Sequence, residues 1–175
     1  PWPFAMWCLD IVAPLPTAPV CRIFFLAATD NFTKWVDAEE LASIKEKDVK
    51  KFVWQNIITR FGIPKALISD NGTQFDGRIF RSFSEKYKIE FYNSTPAYPQ
   101  ANGQAEASNK VVLDELKKRL KKAKGKWADE LPHVLWAYRT TPRRSTRETP
   151  FTLAYGMEAV IPQEVGLPTI RSENF

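Results

Sequence analysis

Met6-Trp7-Cys8-Leu9-Asp10-Ile11-Val12 is the stretch on which the reading of the fold turns. It is apolar except for one aspartate, and a near-continuous apolar run of this length reads as a strand buried on both faces. Pro14 and Pro16 end it. Downstream, Cys21 to Thr29 reads as a second strand and Trp35 to Leu41 as a short third, which together make an antiparallel meander.

The first helix is announced by Ser43 and Glu46 at capping-box spacing. Val49, Phe52, Val53, Ile57 and Phe61 then recur at helical intervals, and Gly62 followed by Pro64 stops the helix. Ala66 to Asp70 is a short apolar run entering a turn at Asn71-Gly72, and it reads as another buried strand. Asp76 is placed to cap a second helix through Tyr87, with Phe80, Phe83 and Tyr87 on one face. Ile89 to Tyr92 is the last predicted strand, followed by a polar loop from Asn93 to Gly103. A long helix is expected from Gln104 to Lys124, broken by Gly125, and another from Trp127 to Arg139 with a kink at Pro132. The order predicts an α/β fold, a five-stranded mixed sheet flanked by helices. Residues 1–157 are expected to form the core and residues 158–175, rich in Pro, Glu and Gly, a linker.

Composition narrows the chemistry. The 175 residues are 44% hydrophobic and 26% charged, which fits one packed domain rather than a disordered chain. No uninterrupted apolar run approaches the ~20 residues of a membrane-spanning helix, so no membrane partner is expected. Pro1-Trp2-Pro3-Phe4 resembles no signal peptide, and the chain is expected to begin inside a larger gene product. A net charge of +5 and a pI near 9.2 point to an anionic partner, most commonly nucleic acid.

Cys8, Cys21 and His133 are the only cysteines and histidine, too few for a disulfide framework or a four-ligand zinc site. A reducing compartment is the default. A Ser-His-Asp triad would need His133, which has no nucleophile motif near it. A metal must therefore be held mainly by carboxylates, which favours Mg²⁺ or Mn²⁺.

Three carboxylates stand out, each with a plain alternative. Asp10, inside an apolar strand, is costly to bury unless it is paired or bound to metal, although it could also hydrogen-bond to a helix end. Asp70 ends a buried strand, where open α/β sheets place ligand-binding groups, and Ser69-Asp70-Asn71-Gly72 is also good turn chemistry. Glu106, in the first turn of the long helix, could simply complement the helix dipole. At about 100° per residue, Val112, Leu116 and Ala123 centre the apolar face of that helix. Glu106 heads a column with Lys110, Lys117, Lys121 and Lys124 that falls within roughly 60°. The column is either a solvated lysine face or a rail for a phosphate backbone that leads to the carboxylates.

The words around these carboxylates resemble the catalytic core of long-terminal-repeat retrotransposon integrases, specifically the Ty3/gypsy type common in plants. Asp10 stands in Trp7-Cys8-Leu9-Asp10-Ile11-Val12-Ala13-Pro14-Leu15-Pro16, and Asp70 in Ile68-Ser69-Asp70-Asn71-Gly72-Thr73-Gln74-Phe75. Glu106 closes Tyr98-Pro99-Gln100-Ala101-Asn102-Gly103-Gln104-Ala105-Glu106, with thirty-five residues between it and Asp70, as in the family's Asp-Asp-Glu signature. Lys34-Trp35, Trp136-Ala137-Tyr138-Arg139-Thr140-Thr141-Pro142, and Thr149-Pro150-Phe151 through Tyr155-Gly156 extend the match over nearly the whole chain. Departures are small: Ala13 stands where Gly is frequent, and Tyr98 where His is common. The resemblance selects Asp10 over Asp30 and Asp37 as the first ligand.

The resemblance implies a ribonuclease H-like fold and a polynucleotidyl transferase or endonuclease. Asp10, Asp70 and Glu106 would hold two Mg²⁺ or Mn²⁺ ions, and no small-molecule cofactor is needed. The expected reactions are 3′-end processing of element DNA and its strand transfer into target DNA. Lys110, Lys117 and Lys121 are expected on DNA phosphate, and Asn102 and Tyr98 at the DNA end. A homo-oligomer acting in the nucleus, carried there from a cytoplasmic particle, is also implied. The alternative is a domesticated, inactive DNA-binding domain. Another ribonuclease H-like nuclease or a transposase would carry different flanking words or an additional acidic ligand.

Overall fold

The computed structural model describes residues 2–12, 24–69, 74–75, 77–93, 113–114, 116–122 and 126–160. The apolar stretch forms β1 (Met6–Val12), antiparallel to β2 (Phe24–Asp30), which is antiparallel to β3 (Val36–Leu41). On its other side β1 pairs in parallel with β4 (Ala66–Ser69), and β4 pairs in parallel with β5 (Glu90–Asn93). The sheet is thus five-stranded and mixed, in the order β3-β2-β1-β4-β5. Both expected meander strands appear, with β2 described from Phe24 and β3 beginning one residue late at Val36. Cys21 and its two neighbours fall outside the described residues.

The central strands are apolar on both sides because each face is covered by helices. One face presents Trp7, Leu9, Leu26 and Ala28 to the two crossover helices. These are α1 (Glu46–Phe52), continued by a π-helical segment (Val53–Ile58) and a last turn (Thr59–Phe61), and α2 (Arg78–Lys86). Val12, Phe25 and Ala27 lie on the other face, against Leu113, Leu116 and Leu120. Those leucines belong to helical residues 113–114 and 116–122, of which we call 116–122 α3. Trp127, Leu131 and Leu135 of α4 (Trp127–Arg139) complete that layer.

Both crossover helices run antiparallel to the strands they connect, β3, β4 and β5, so α1 and α2 lie side by side, parallel to each other. Their contacts step down four residues at a time. Glu46 accepts from the Ile79 amide at 2.8 Å, Lys50 lies over the Phe83 ring, and Trp54 packs on Tyr87. This ladder corrects two capping expectations. The box at the start of α1 is closed by Asp48, which accepts from the Lys45 amide at 3.1 Å, rather than by Ser43 and Glu46. Glu46 is engaged elsewhere, satisfying an amide at the start of α2. The N-cap of α2 is Gly77, not Asp76, which lies outside the described residues.

Pro132 stands inside α4 without ending it. A further helix, α5 (Pro150–Tyr155), was not expected. The Thr149 hydroxyl accepts from the Thr152 amide at 2.9 Å, Pro150 fills the first turn, and Gly156 closes the helix at φ 73°. Residues 157–160 carry no regular element, and 161–175 lie outside the described residues.

Candidate active site on the central strand

Asp10 sits in the most central strand, paired across β2 with Ala27. Side chains alternate along a strand. Trp7, Leu9 and Ile11 pack with the α1–α2 layer, so Asp10 shares the opposite face with Val12 and Ala27. That is the side of α3. Asp10 is only half-buried, which lowers the cost of a carboxylate there.

The β1–β4 register ends with Leu9 opposite Ser69. The last described residue of β4, next in sequence to Asp70, is therefore level with the residue that precedes Asp10. Asp70 itself lies outside the described residues, as do Glu106, Tyr98, Asn102 and Lys110. Among the described residues no three His, Cys, Asp or Glu side chains come together to hold a metal, and Asp10 is the one member of the predicted triad they include.

Lys117 and Lys121 are described, on α3. Leu113, Leu116 and Leu120 are buried, Leu116 among them as expected, while Val112 and Ala123 of the expected apolar face lie outside the described residues. Lys121 is exposed, and Lys117 is partly exposed with its ammonium 3.9 Å from Asp114. Lys118, Arg119 and Lys122 are exposed on the same helix, so the cationic surface is broader than the predicted column. Their spacing made this broader face readable from the sequence.

The two aspartates rejected as ligands have structural roles. Asp30 is fully buried and accepts from the Phe4 amide (3.0 Å), the Thr33 amide (2.8 Å) and the Thr33 hydroxyl (2.7 Å). Burial pushes its carboxyl above the ordinary value of 3.8, and these hydrogen bonds oppose the rise. Asp37 is buried between two arginines, Arg60 and Arg139, and accepts from the Trp35 indole.

The flanking words converge on Asp37. Arg139 donates to the Val36 carbonyl from both Nε (3.0 Å) and Nη2 (2.8 Å) and to Asp37 at 3.0 Å, while its guanidinium lies 4.3 Å from the Trp35 ring centroid. Tyr138 donates to the Lys34 carbonyl, and Tyr155 and Phe151 pack on Trp35. Burial lowers the Lys34 ammonium, against the pull of Cys8 and Asp30. These motifs hold the sheet edge to the C-terminal helices.

Comparison with known proteins agrees with this architecture. Two polyproteins are similar to the chain. The Gag-Pol polyprotein of avian reticuloendotheliosis virus is 29% identical over 149 residues, which cover 85% of this chain and 13% of that protein. The Gag-Pol polyprotein of gibbon ape leukemia virus is 33% identical over 134 residues, 76% of this chain and 8% of that protein. The chain therefore spans a small part of these relatives.

Among solved structures, the HTLV-2 integrase catalytic core domain in complex with magnesium aligns over 88% of this chain and 98% of its own, with TM-score 0.65 and 17% identity. The catalytic core domain of BIV integrase aligns over 87% and 94%, with TM-score 0.66 and 19% identity. These likenesses identify the fold as ribonuclease H-like. The retroviral relatives are consistent with the Ty3/gypsy-type resemblance read from the motifs. The profile described as "Integrase core domain" matches residues 2–99, more than half of the sequence, and the chain belongs to that family.

Proposed function

We propose that this chain is the catalytic core of a retroelement integrase that joins DNA strands, with Asp10, Asp70 and Glu106 as its acidic ligands. The observation that carries the reading is the position of Asp10. It is a half-buried carboxylate on the central strand, on the α3 face, one residue beyond the point where β1 and the strand leading into Asp70 are in register. Continued by one residue, the alternation of β4 would turn Asp70 to the same face as Asp10. A donor set of carboxylate oxygens suits Mg²⁺ or Mn²⁺, and a core of the same fold is described in complex with magnesium. When bound, such a pair of ions stabilises charge on the attacking and leaving oxygens of a phosphoryl transfer.

The chain's own contribution is binding and orientation. Asp10 on β1 and Asp70, next in sequence after β4, would fix two of the ligands in a rigid frame, and Glu106 would close the set. Lys110, Lys117 and Lys121 would hold DNA phosphates, and Tyr98 and Asn102 the DNA end. Water would first cut a phosphodiester near each 3′ end of the element. In strand transfer the freed 3′-hydroxyl oxygen would bond to a target phosphorus while the target's own 3′ oxygen leaves in line. The protein would work on chromosomal DNA in the nucleus, as a homo-oligomer.

Asp70→Asn is expected to abolish Mg²⁺- or Mn²⁺-dependent activity on a branched DNA substrate, which reports the reversal of strand transfer, while the circular dichroism spectrum stays unchanged. Equal activity in the folded variant would sink the site assignment.

A further inference from the structure

A groove of about 760 Å³ runs between α1 and α2, on the sheet face opposite Asp10 and α3. Its walls carry Lys47, Lys50 and Lys51 from α1, and Arg78 and Lys86 from α2, with no carboxylate in the lining. Aromatic surface lies between the cations. Trp54 is 41% exposed and packs on Tyr87 with ring centroids 5.6 Å apart. Lys50 and Lys86 lie over the Phe83 and Tyr87 rings at 5.9 and 5.4 Å. Glu46, at the upper end, is committed to the Ile79 amide.

We propose that this groove binds single-stranded DNA, with phosphates on the lysines and a base on Trp54. A positively charged channel combined with exposed aromatic faces is the arrangement that holds single strands without sequence preference. The two helices touch through Glu46, Lys50 and Trp54, so the groove is a furrow along their outer surface, which a flexible single strand can follow and a stiff duplex would meet only at its rims. From Glu46 to Trp54 the path is about 12 Å long, room for a few nucleotides. The helices start at the end of the sheet where β1 and β4 finish, so the groove opens on the rim nearest Asp10 and the end of β4. Groove-to-groove pairing of two copies is disfavoured, since a two-fold axis through the groove would bring two sets of five cations together.

The inference draws on the integrase reading only for the choice of polyanion, and its test is run in EDTA, where no metal-dependent activity contributes. Anisotropy of a labelled dT12 is titrated with the full chain across a salt series. Lys50→Glu with Lys86→Glu is expected to weaken binding at least tenfold and to reduce the log–log salt slope by about 1.4. Trp54→Ala is expected to weaken binding roughly 5- to 150-fold with the slope unchanged, and Trp54→Phe to restore it. Because α3 also carries cations, an iodouracil-substituted dT12 is cross-linked and mapped, with adducts expected at Trp54 or Tyr87. Adducts confined to other residues, or an unchanged salt slope in a variant that keeps its circular dichroism, would overturn the proposal. So would an alternating Glu-Leu peptide that competes at this groove more tightly than dT12. Loss of catalysis in Asp70→Asn has no bearing on this result, so the two readings fail separately.

Discussion

Replacing Arg139 with Met tests whether the Trp-Ala-Tyr-Arg word is a structural tie rather than a DNA contact. Methionine keeps much of the aliphatic stem and removes the guanidinium, with its hydrogen bonds to Val36 and Asp37 and its stacking on Trp35. The Arg139 and Asp37 side chains are only 16% and 7% exposed, so screening by water is weak. Breaking a buried pair typically costs about 3–5 kcal/mol. Arg60 remains beside Asp37, which favours the low end. The Val36 carbonyl, deprived of two charge-assisted donors, adds about 1 kcal/mol.

A net loss of about 3–4 kcal/mol is expected, and with an m-value near 2 kcal/mol/M the urea midpoint should fall by about 1.5–2 M. Against a total stability of roughly 5–15 kcal/mol this is a large fraction. Tryptophan fluorescence in urea at pH 7 reads it, and a cycle with Asp37→Asn isolates the pair. In the Arg139→Met background, Asp37→Asn should cost at least 1 kcal/mol less than in the parent, on the order of measured coupling between contacting residues. A midpoint shift under about 0.5 M, or strict additivity, would refute the tie. DNA affinity of the folded variant should be unchanged.

Two further perturbations test other polar contacts. Burial holds the Asp30 carboxyl above its ordinary 3.8, so between 3.8 and the folded value the folded chain carries more protons than the unfolded one. Its contribution to stability is greatest at low pH and is lost as pH rises through that window. Asp30→Asn should remove this slope from urea midpoints measured between about pH 4 and 7. It should also cost about 1–3 kcal/mol, because an amide nitrogen would face a backbone donor at Phe4 or Thr33. An unaltered pH slope would count against the assignment. A Cβ on Gly77 would fall 1.8–2.3 Å from the Glu46 carboxylate. Gly77→Ala should thus displace that carboxylate and lose its bond to the Ile79 amide, for about 1 kcal/mol. The same loss on a Glu46→Ala background would show that some other contact is responsible.

Apolar continuity and periodicity made the strands and the helices over residues 46–61 and 127–139 readable in the sequence, while most of the expected helix from Gln104 to Lys124 lies outside the described residues. Ala66–Ser69 is buried throughout and Met6–Val12 is buried or half-buried at every position, and such apolar runs have few alternatives. Glu46 was misread because spacing alone cannot decide whether a glutamate closes its own helix or reaches a neighbour. That choice depends on where α2 begins. Helix α5 escaped because six residues span less than two turns, too few for an amphipathic repeat to show, although Thr149-Pro150 and Gly156 already carried start and stop chemistry. At the site, Asp10 was identifiable as a carboxylate out of place in its strand. Its facing toward α3 follows only from strand register, which depends on pairing partners far away in the chain. Lys34-Trp35 and Trp136 to Arg139 were recognisable as words, but nothing local revealed that they meet.

Arg139 also bears on how the chain reaches its folded state. β3 is an edge strand, and Arg139 closes off the outward carbonyl of Val36 from a position 103 residues later in sequence. An uncovered edge is a template for pairing with another chain. During synthesis, and in any fragment that stops before residue 139, that edge would stand open beside a buried aspartate lacking one of its two cations. Contacts of such sequence separation are slow to form. A nascent chain carrying this core is therefore expected to be most prone to aggregation in the interval before its α4 segment has docked.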